Sequence, residues 1–228
     1  IGAHFSIAGG LVKSIERAVA ADAKSMQIFV SNPRAWSMPI ISDEEADAFK
    51  SEKSKTGIKE VIAHMPYLPN IASPDKFIFR KSIKILKQNI QAAEKINADY
   101  YVIHPGHSID FNIEKALKRC ADAINILISN TERISILIEN TAGQGSEIGS
   151  SFYQIGRIME RIKNRKRSGV CLDTAHLYAA GYEFGDILKL DKLIYDAVDH
   201  FDVTRIKALH LNDTPVKFNS NIDRHYYI

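Results

Sequence analysis

A short apolar run that ends in a histidine, aspartate or glutamate recurs along this chain, and it restricts the fold more than any other feature. The runs are "IGAHFS", "SMQIFV", "EVIAHM", "YYVIHPG", "ISILIEN", "GVCLDTAH" and "IKALHLND". They are rich in isoleucine, valine and leucine, as strands buried on both faces are. His64, His104, Glu139, Asp173 and His210 each follow the apolar core of such a run, at separations of 40, 35, 34 and 37 residues, about one βα unit each. Seven strands divided by helices imply right-handed βαβ units and a parallel sheet. Polar groups from the ends of five successive strands converge only where the strands surround a common centre, the arrangement of a (β/α)8 TIM barrel. An open doubly wound sheet would gather them at one crevice instead.

The segments between the runs are helical in pattern. "LVKSIERAVAADA" puts Leu11, Ile15, Ala18 and Val19 on one stripe, and "RKSIKILKQNIQAAEKI" does so with Ile83, Leu86 and Ile90. "EKALKRCADAINILI", "FYQIGRIMERI" and residues 186–201 repeat the pattern, and each helix reads as apolar on one side only. Ser42 and Glu45 in "SDEEADAFKSEK" stand at capping-box spacing. No linker divides residues 1–228, so they read as a single barrel domain. After His210 only 18 residues remain, of loop character. The expectation is a barrel incomplete after its seventh strand-helix unit, with first and seventh strands as open edges that favour association.

Composition enters as a set of exclusions. A chain of 228 residues, 45% hydrophobic and 25% charged, can bury a full core. No apolar run is long enough to span a bilayer and no signal peptide opens the chain, which argues against a membrane partner. Cys120 and Cys171 make no disulfide framework, so a reducing, cytoplasmic setting is expected. The net charge of +3 permits a nucleic-acid partner without arguing for one.

In "CLDTAHLYAAGY", residues 171 to 182, Asp173 leaves a buried strand and His176 follows one turn later. Alone, this is as readily a helix cap as a site. A lone histidine at a strand end is likewise more often a hydrogen-bonding residue than a ligand. The whole set shifts that balance. "IDRHYY" adds Asp223 and His225 at i, i+2, on the same side of an extended segment. His64, His104, Glu139, Asp173, His176, His210, Asp223 and His225 make eight nitrogen and oxygen donors without cysteine, a costly gathering in the absence of a cation. Zinc suits this mixture, and manganese or iron competes. Three ligands per metal divide the donors into two or three sites.

Over nearly its whole length the chain resembles the endonuclease IV family of zinc-dependent apurinic/apyrimidinic endonucleases. The motifs are "IGAHFSIAGG", "NPRAW", "AHMPYLPN", "HPG", "IENTAGQG", "CLDTAHLYAAGY", "HLND" and "DRH", in family order and spacing. The resemblance implies a TIM barrel of the xylose isomerase-like kind with three zinc ions at the C-terminal ends of its strands. It implies a first zinc on His64, His104 and Glu139, a second on Glu139, Asp173 and His210, and a third on His176, Asp223 and His225. It also implies cleavage of DNA 5′ of an abasic site, leaving a 3′-hydroxyl and a 5′-deoxyribose phosphate. Glu139 would be catalytic, bridging two metals where water attacks. The implied partner is double-stranded DNA with abasic sites, acted on by a monomer. The family's second metal takes a further glutamate from an eighth strand, and a glycine-rich segment follows "DRH"; neither occurs in this sequence.

"NPRAW" and "HMPYLPN" fall in loops after the second and third strands. There Arg34 is a candidate for a DNA groove, and Tyr67 and Leu68 for a wedge in the base stack. The plainer reading is that Trp36 and Leu68 pack loops and Arg34 is solvated. His4 ends the first strand and is a candidate phosphate contact. Gly143 and Gly145 allow a tight loop near the phosphate, while His107 and His200 read as surface residues. The basic run "KNRKRS", residues 163 to 168, precedes a strand and is expected to be solvated on the opposite face. Two other functions fit parts of this pattern. A sugar isomerase or epimerase would use one divalent metal on Glu139, Asp173 and His210, but has no need of His64, His104, His176, Asp223 or His225. A non-catalytic binder of damaged DNA would use the loops without the chemistry.

Overall fold

The computed structural model describes residues 1–226. Seven parallel strands form one sheet in chain order: β1 (Gly2–His4), β2 (Ser25–Ile28), β3 (Glu60–His64), β4 (Tyr100–Ile103), β5 (Ser135–Glu139), β6 (Ser168–Asp173) and β7 (Ile206–His210). Helices α1 (Leu11–Ala20), α2 (Asp43–Ser54), α3 (Lys76–Lys95), α4 (Ile113–Ile128) and α5 (Phe152–Glu160) connect the first six strands. The short α6 (Thr174–Ala179) and then α7 (Ile187–His200) join β6 to β7. The sheet is rolled into part of a barrel, with β1 and β7 as its two unpaired edges among the described residues. His210 on β7 donates from Nε2 to the Gln27 Oε1 atom on β2 at 2.8 Å. In a flat sheet those strands, five spacings apart, would be separated by about 24 Å.

The alternation of strand side chains explains both the core and the site. Val61, Ala63, Tyr101, Ile103, Ile136, Ile138, Val170 and Leu172 face outward into one large cluster with the helices. Their neighbours face inward, where Val102, Leu137 and Cys171 pack with Ile62, Tyr100 and Ala208. One pleat above this small apolar layer, two residues along each strand, stand His64, His104, Glu139, Asp173 and His210. The apolar interior is thus the floor of a polar bowl.

Helix starts follow their caps. Ser42 and Glu45 form the expected reciprocal capping box on α2. Asp75 caps α3 several residues earlier than the apolar periodicity indicates, through the Phe77 and Ile78 amides. Two expectations on patterning do not hold. Val19 is half exposed, because the core-facing stripe of α1 is Leu11, Ser14, Ile15 and Ala18. Nor is the apolar side of α7 covered as in the other helices: it buries Leu193 and Ala197 while Ile187, Leu188, Ile194, Tyr195 and Val198 are exposed. The "KNRKRS" segment lies at the expected end of the barrel, but Arg167 is not simply solvated. Its guanidinium donates to Ile128 O and Thr131 Oγ1, closing the C-terminal end of α4. Among the described residues, no helix is long and apolar enough to cross a membrane.

Candidate metal centre

Glu139 ends β5 and is 2% exposed. Around its carboxylate stand rings from four other elements. Oε2 lies 3.0 Å from His64 Nε2 and 3.2 Å from His104 Nε2. Oε1 lies 2.9 Å from His210 Nδ1 and 3.6 Å from His176 Nδ1. Asp173, equally buried, has its Oδ2 3.4 Å from His225 Nε2 and 3.8 Å from His210 Nδ1. Asp223 Oδ1 lies 3.4 Å from His176 Nε2 and 3.3 Å from His225 Nδ1. All eight donors therefore meet in one bowl at the C-terminal ends of the strands.

Asp173 resolves the ambiguity of its motif by serving both purposes. Its Oδ1 accepts from the His176 amide at 2.9 Å as the cap of α6, while Oδ2 faces the bowl. The helix begins there because the carboxylate caps it, and the same cap sets His176 one turn further on.

Burial alone would raise the Glu139 carboxyl, but His104, His210 and His64 hold it well below the usual carboxylate range. Burial also opposes charge on His176, yet Asp223, Asp173 and Glu139 outweigh it and push the ring up to about 10. His210 is pulled up against its own burial by Glu139 and Asp173. His64, buried at the end of β3, is pushed down by that burial. The field of three ionised carboxylates in a closed bowl favours positive charge at its centre.

The ring contacts fit a divalent metal. His64 donates from Nδ1 to Met65 O at 2.8 Å, and His176 from Nδ1 to Asn140 O at 2.8 Å. His210 donates from Nε2 to Gln27 Oε1. In all three, one nitrogen is tied to a carbonyl or amide oxygen and the other turns toward a carboxylate of the bowl, the arrangement that presents a lone pair to a metal. Three groups of donor atoms lie within 4.8 Å of one another: His64, His104 and Glu139; Glu139, Cys171 and His210; Asp173, His176 and His225. The first is the expected triad. In the other two, Cys171 and Asp173 stand in the places expected for Asp173 and Asp223. Cys171 lies one pleat below the bowl, packed in the apolar floor with Val102 and Leu137, whereas Asp223 contacts both rings of its expected group.

Other candidates lie on the rim. Arg34, Tyr67 and Leu68 are exposed, and the Tyr67 amide donates to Pro33 O at 2.9 Å, tying their two loops together. Phe29 lies beneath, with its ring centroid 5.5 Å from Tyr67, 5.4 Å from His64 and 4.6 Å from His4. Trp36 packs under Lys81, whose Nζ lies 4.2 Å from the ring centroid. His107 is exposed, and His200 is partly covered by Tyr153.

Several residues of the site are not evident from sequence. Gln27 bridges His4 and His210. Asn140 locks the Asp173 backbone, accepting from its amide at 2.7 Å and donating to its carbonyl at 3.2 Å. Asn212 donates to Asp173 Oδ2. Gln144 accepts from the Asp223 amide at 2.8 Å, and Asn221 donates to Ala142 O at the same distance. The "TAGQG" loop therefore docks the segment that carries Asp223. Gly143, at φ 77°, is needed for that docking, since a Cβ there would stand 2.8 Å from Asn221 Nδ2. The available signal is adjacency: Asn140 follows a ligand directly, and Asn212 lies two residues beyond one.

The family model described as "Xylose isomerase-like TIM barrel" matches residues 15–228. "Probable endonuclease 4" of Methanosphaerula palustris is 37% identical over 232 residues, covering all of this chain and 81% of that protein. Endonuclease IV from Thermus thermophilus superimposes with a TM-score of 0.87 at 27% identity, over 100% of this chain and 82% of the other. A D-tagatose 3-epimerase-like protein, at 16% identity and a TM-score of 0.70 over 96% of this chain and 79% of its own, shares the fold alone.

Proposed function

The chain belongs to the endonuclease IV family, and from that premise we propose that it is a DNA-repair endonuclease that cleaves 5′ of abasic sites in duplex DNA. The products are a 3′-hydroxyl and a 5′-deoxyribose phosphate. The observation that carries this reading is Glu139, one buried carboxylate within 3.6 Å of four imidazoles. A sugar epimerase of this fold has no need of so many donors.

His64, His104 and Glu139 would hold one zinc, Glu139, Asp173 and His210 a second, and His176, Asp223 and His225 a third; manganese is the competing metal. When bound, such ions supply Lewis acidity to the phosphodiester and make water a nucleophile at neutral pH. The chain's own residues do the rest. Glu139 is shared between two ligand groups and fixes their spacing. Arg34, Tyr67 and Leu68 stand on the rim, where a cationic stem and two apolar side chains can fill the gap left by a missing base. His4, beside the bowl on β1, would donate to a phosphate oxygen.

The test pairs elemental analysis with incision of a duplex containing a tetrahydrofuran abasic analogue. At least two zinc ions per folded chain are expected, with incision lost in a strong chelator and restored by zinc. One ion would favour an epimerase-type centre, and none would overturn the metal-dependent reading. Zinc with tight duplex binding but no incision would leave a binder of damaged DNA.

A further inference from the structure

Three ring nitrogens of the bowl are tied from outside, and one tie differs in kind. His64 and His176 donate to backbone carbonyls, Met65 O and Asn140 O, which no substitution removes. His210 donates to a side chain, the Gln27 amide. His210 also sits on the least covered strand of the pair: every residue of β7 is partly or fully exposed, whereas β6 is buried throughout. Packing alone therefore holds this ring less firmly than the others.

The amide is itself held at both ends. Gln27 Nε2 donates to His4 Nδ1 at 3.2 Å, while Oε1 accepts from His210 Nε2 at 2.8 Å. The orientation matters because an amide presents a donor at one end and an acceptor at the other. With the oxygen toward His210, the proton of a neutral ring resides on Nε2 and the lone pair on Nδ1, which lies 2.9 Å from Glu139 Oε1 and 3.8 Å from Asp173 Oδ2. Turned end for end, the amide would donate to Nε2. The ring proton would then move to Nδ1 and point at Glu139. In the structure the amide takes the first orientation, with its nitrogen toward His4 Nδ1 and its oxygen toward His210 Nε2.

We propose that Gln27 is a positioning residue that fixes the orientation and tautomer of His210, so that Nδ1 presents its lone pair to the divalent ion shared with Glu139 and Asp173. This rests on the metal-dependent reading above. Outer partners of this type are worth about ten- to a hundredfold in metal affinity when removed.

The experiment compares wild type, Gln27→Ala and Gln27→Glu in zinc titrations against a chromophoric chelator. It adds long-range nitrogen–proton NMR spectra of the histidine rings in the zinc-loaded proteins. Gln27→Ala is expected to weaken one zinc by about ten- to a hundredfold and leave the others unchanged. Gln27→Glu keeps the acceptor toward His210 but loses the donor toward His4, so its loss of affinity for that zinc should fall well short of the roughly tenfold minimum for losing an outer partner. In wild type the His210 Nε2 signal should be that of a protonated nitrogen and Nδ1 that of a metal-bound one. Circular dichroism of the metal-free proteins checks the fold, and if Gln27→Ala does not fold, Gln27→Glu and the wild-type spectrum still decide. Unchanged zinc affinity in a folded Gln27→Ala, weak binding in Gln27→Glu equal to that of Gln27→Ala, or a metal-bound signal on Nε2 would each overturn the inference. A wild-type chain that takes up no zinc would instead overturn the metal-dependent reading, and this inference with it.

Discussion

Helices α4 and α7 are of similar length and similar amphipathic pattern, yet their surroundings differ. α4 buries eight residues against β5 and its neighbours, and β5 itself is buried at four of five positions. α7 buries two, and no residue of β7 is fully buried. The candidate ligand on each flank is held accordingly. Glu139 is fixed by the packing of β5 between two buried strands, with its side chain enclosed by rings. His210 is fixed by discrete hydrogen bonds to Gln27 and Glu139. One site is therefore built by two means: close packing, which tolerates little change in volume, and a chain of polar contacts, which tolerates little change in chemistry.

The comparison breaks first at Glu139. Glu139→Ala should lower abasic incision by more than the roughly hundredfold that losing an outer partner costs. Retention of abasic duplex in a mobility assay should survive. Near wild-type incision would mean that the packed flank does not carry the centre. Next is the core. Ile124→Ala on α4 should destabilise the protein by about 2–5 kcal/mol in urea unfolding, since Ile124 is completely buried. Leu188→Ala on α7 should stay within about 0.5 kcal/mol, because Leu188 is 78% exposed. Equal costs at the two positions would erase the contrast. Exposed apolar residues on the rim sharpen it further. Tyr67→Ala with Leu68→Ala should keep its zinc but lose about tenfold in affinity for abasic duplex, the value of about one stacked base. Affinity for undamaged duplex, set by phosphate contacts, should change little at fixed salt. Leu188→Ala should alter neither affinity. Parallel loss on both DNAs would assign Tyr67 and Leu68 to general binding or to the fold.

Much of this is legible from residue spacing. The regular interval between His64, His104, Glu139, Asp173 and His210 is the length of a βα unit, and strand alternation puts all five above Ile62, Val102, Leu137, Cys171 and Ala208. Helix phases follow from their apolar stripes. What periodicity does not carry is the identity of a neighbour. The pattern of residues 186–201 marks apolar residues but not which of them meet another element, and Ile194 and Val198 are exposed. Gln27 stays hidden because a single polar residue inside "SMQIFV" resembles an ordinary interruption. Its partner lies far along the chain, and only the rolling of the sheet brings them together. The glycines of "TAGQG" read as a phosphate loop, since the docking of Asn221 and Asp223 against Ala142 and Gln144 depends on side chains from both segments.

The bond between Gln27 and His210 joins residues 183 apart in the chain. Such a contact is among the last a folding chain can make, because the loop it closes must first be organised by shorter-range pairings. His64, His104 and Glu139 lie on three successive, mutually paired strands and come together once β3, β4 and β5 are in register. The donors on β7 and in residues 223–225 arrive only when the sheet has rolled and the final segment has docked. The three ligand groups therefore mature in order along the chain. A divalent ion held by the last of them would stabilise the rolled sheet with its docked C-terminal segment over any partly assembled form.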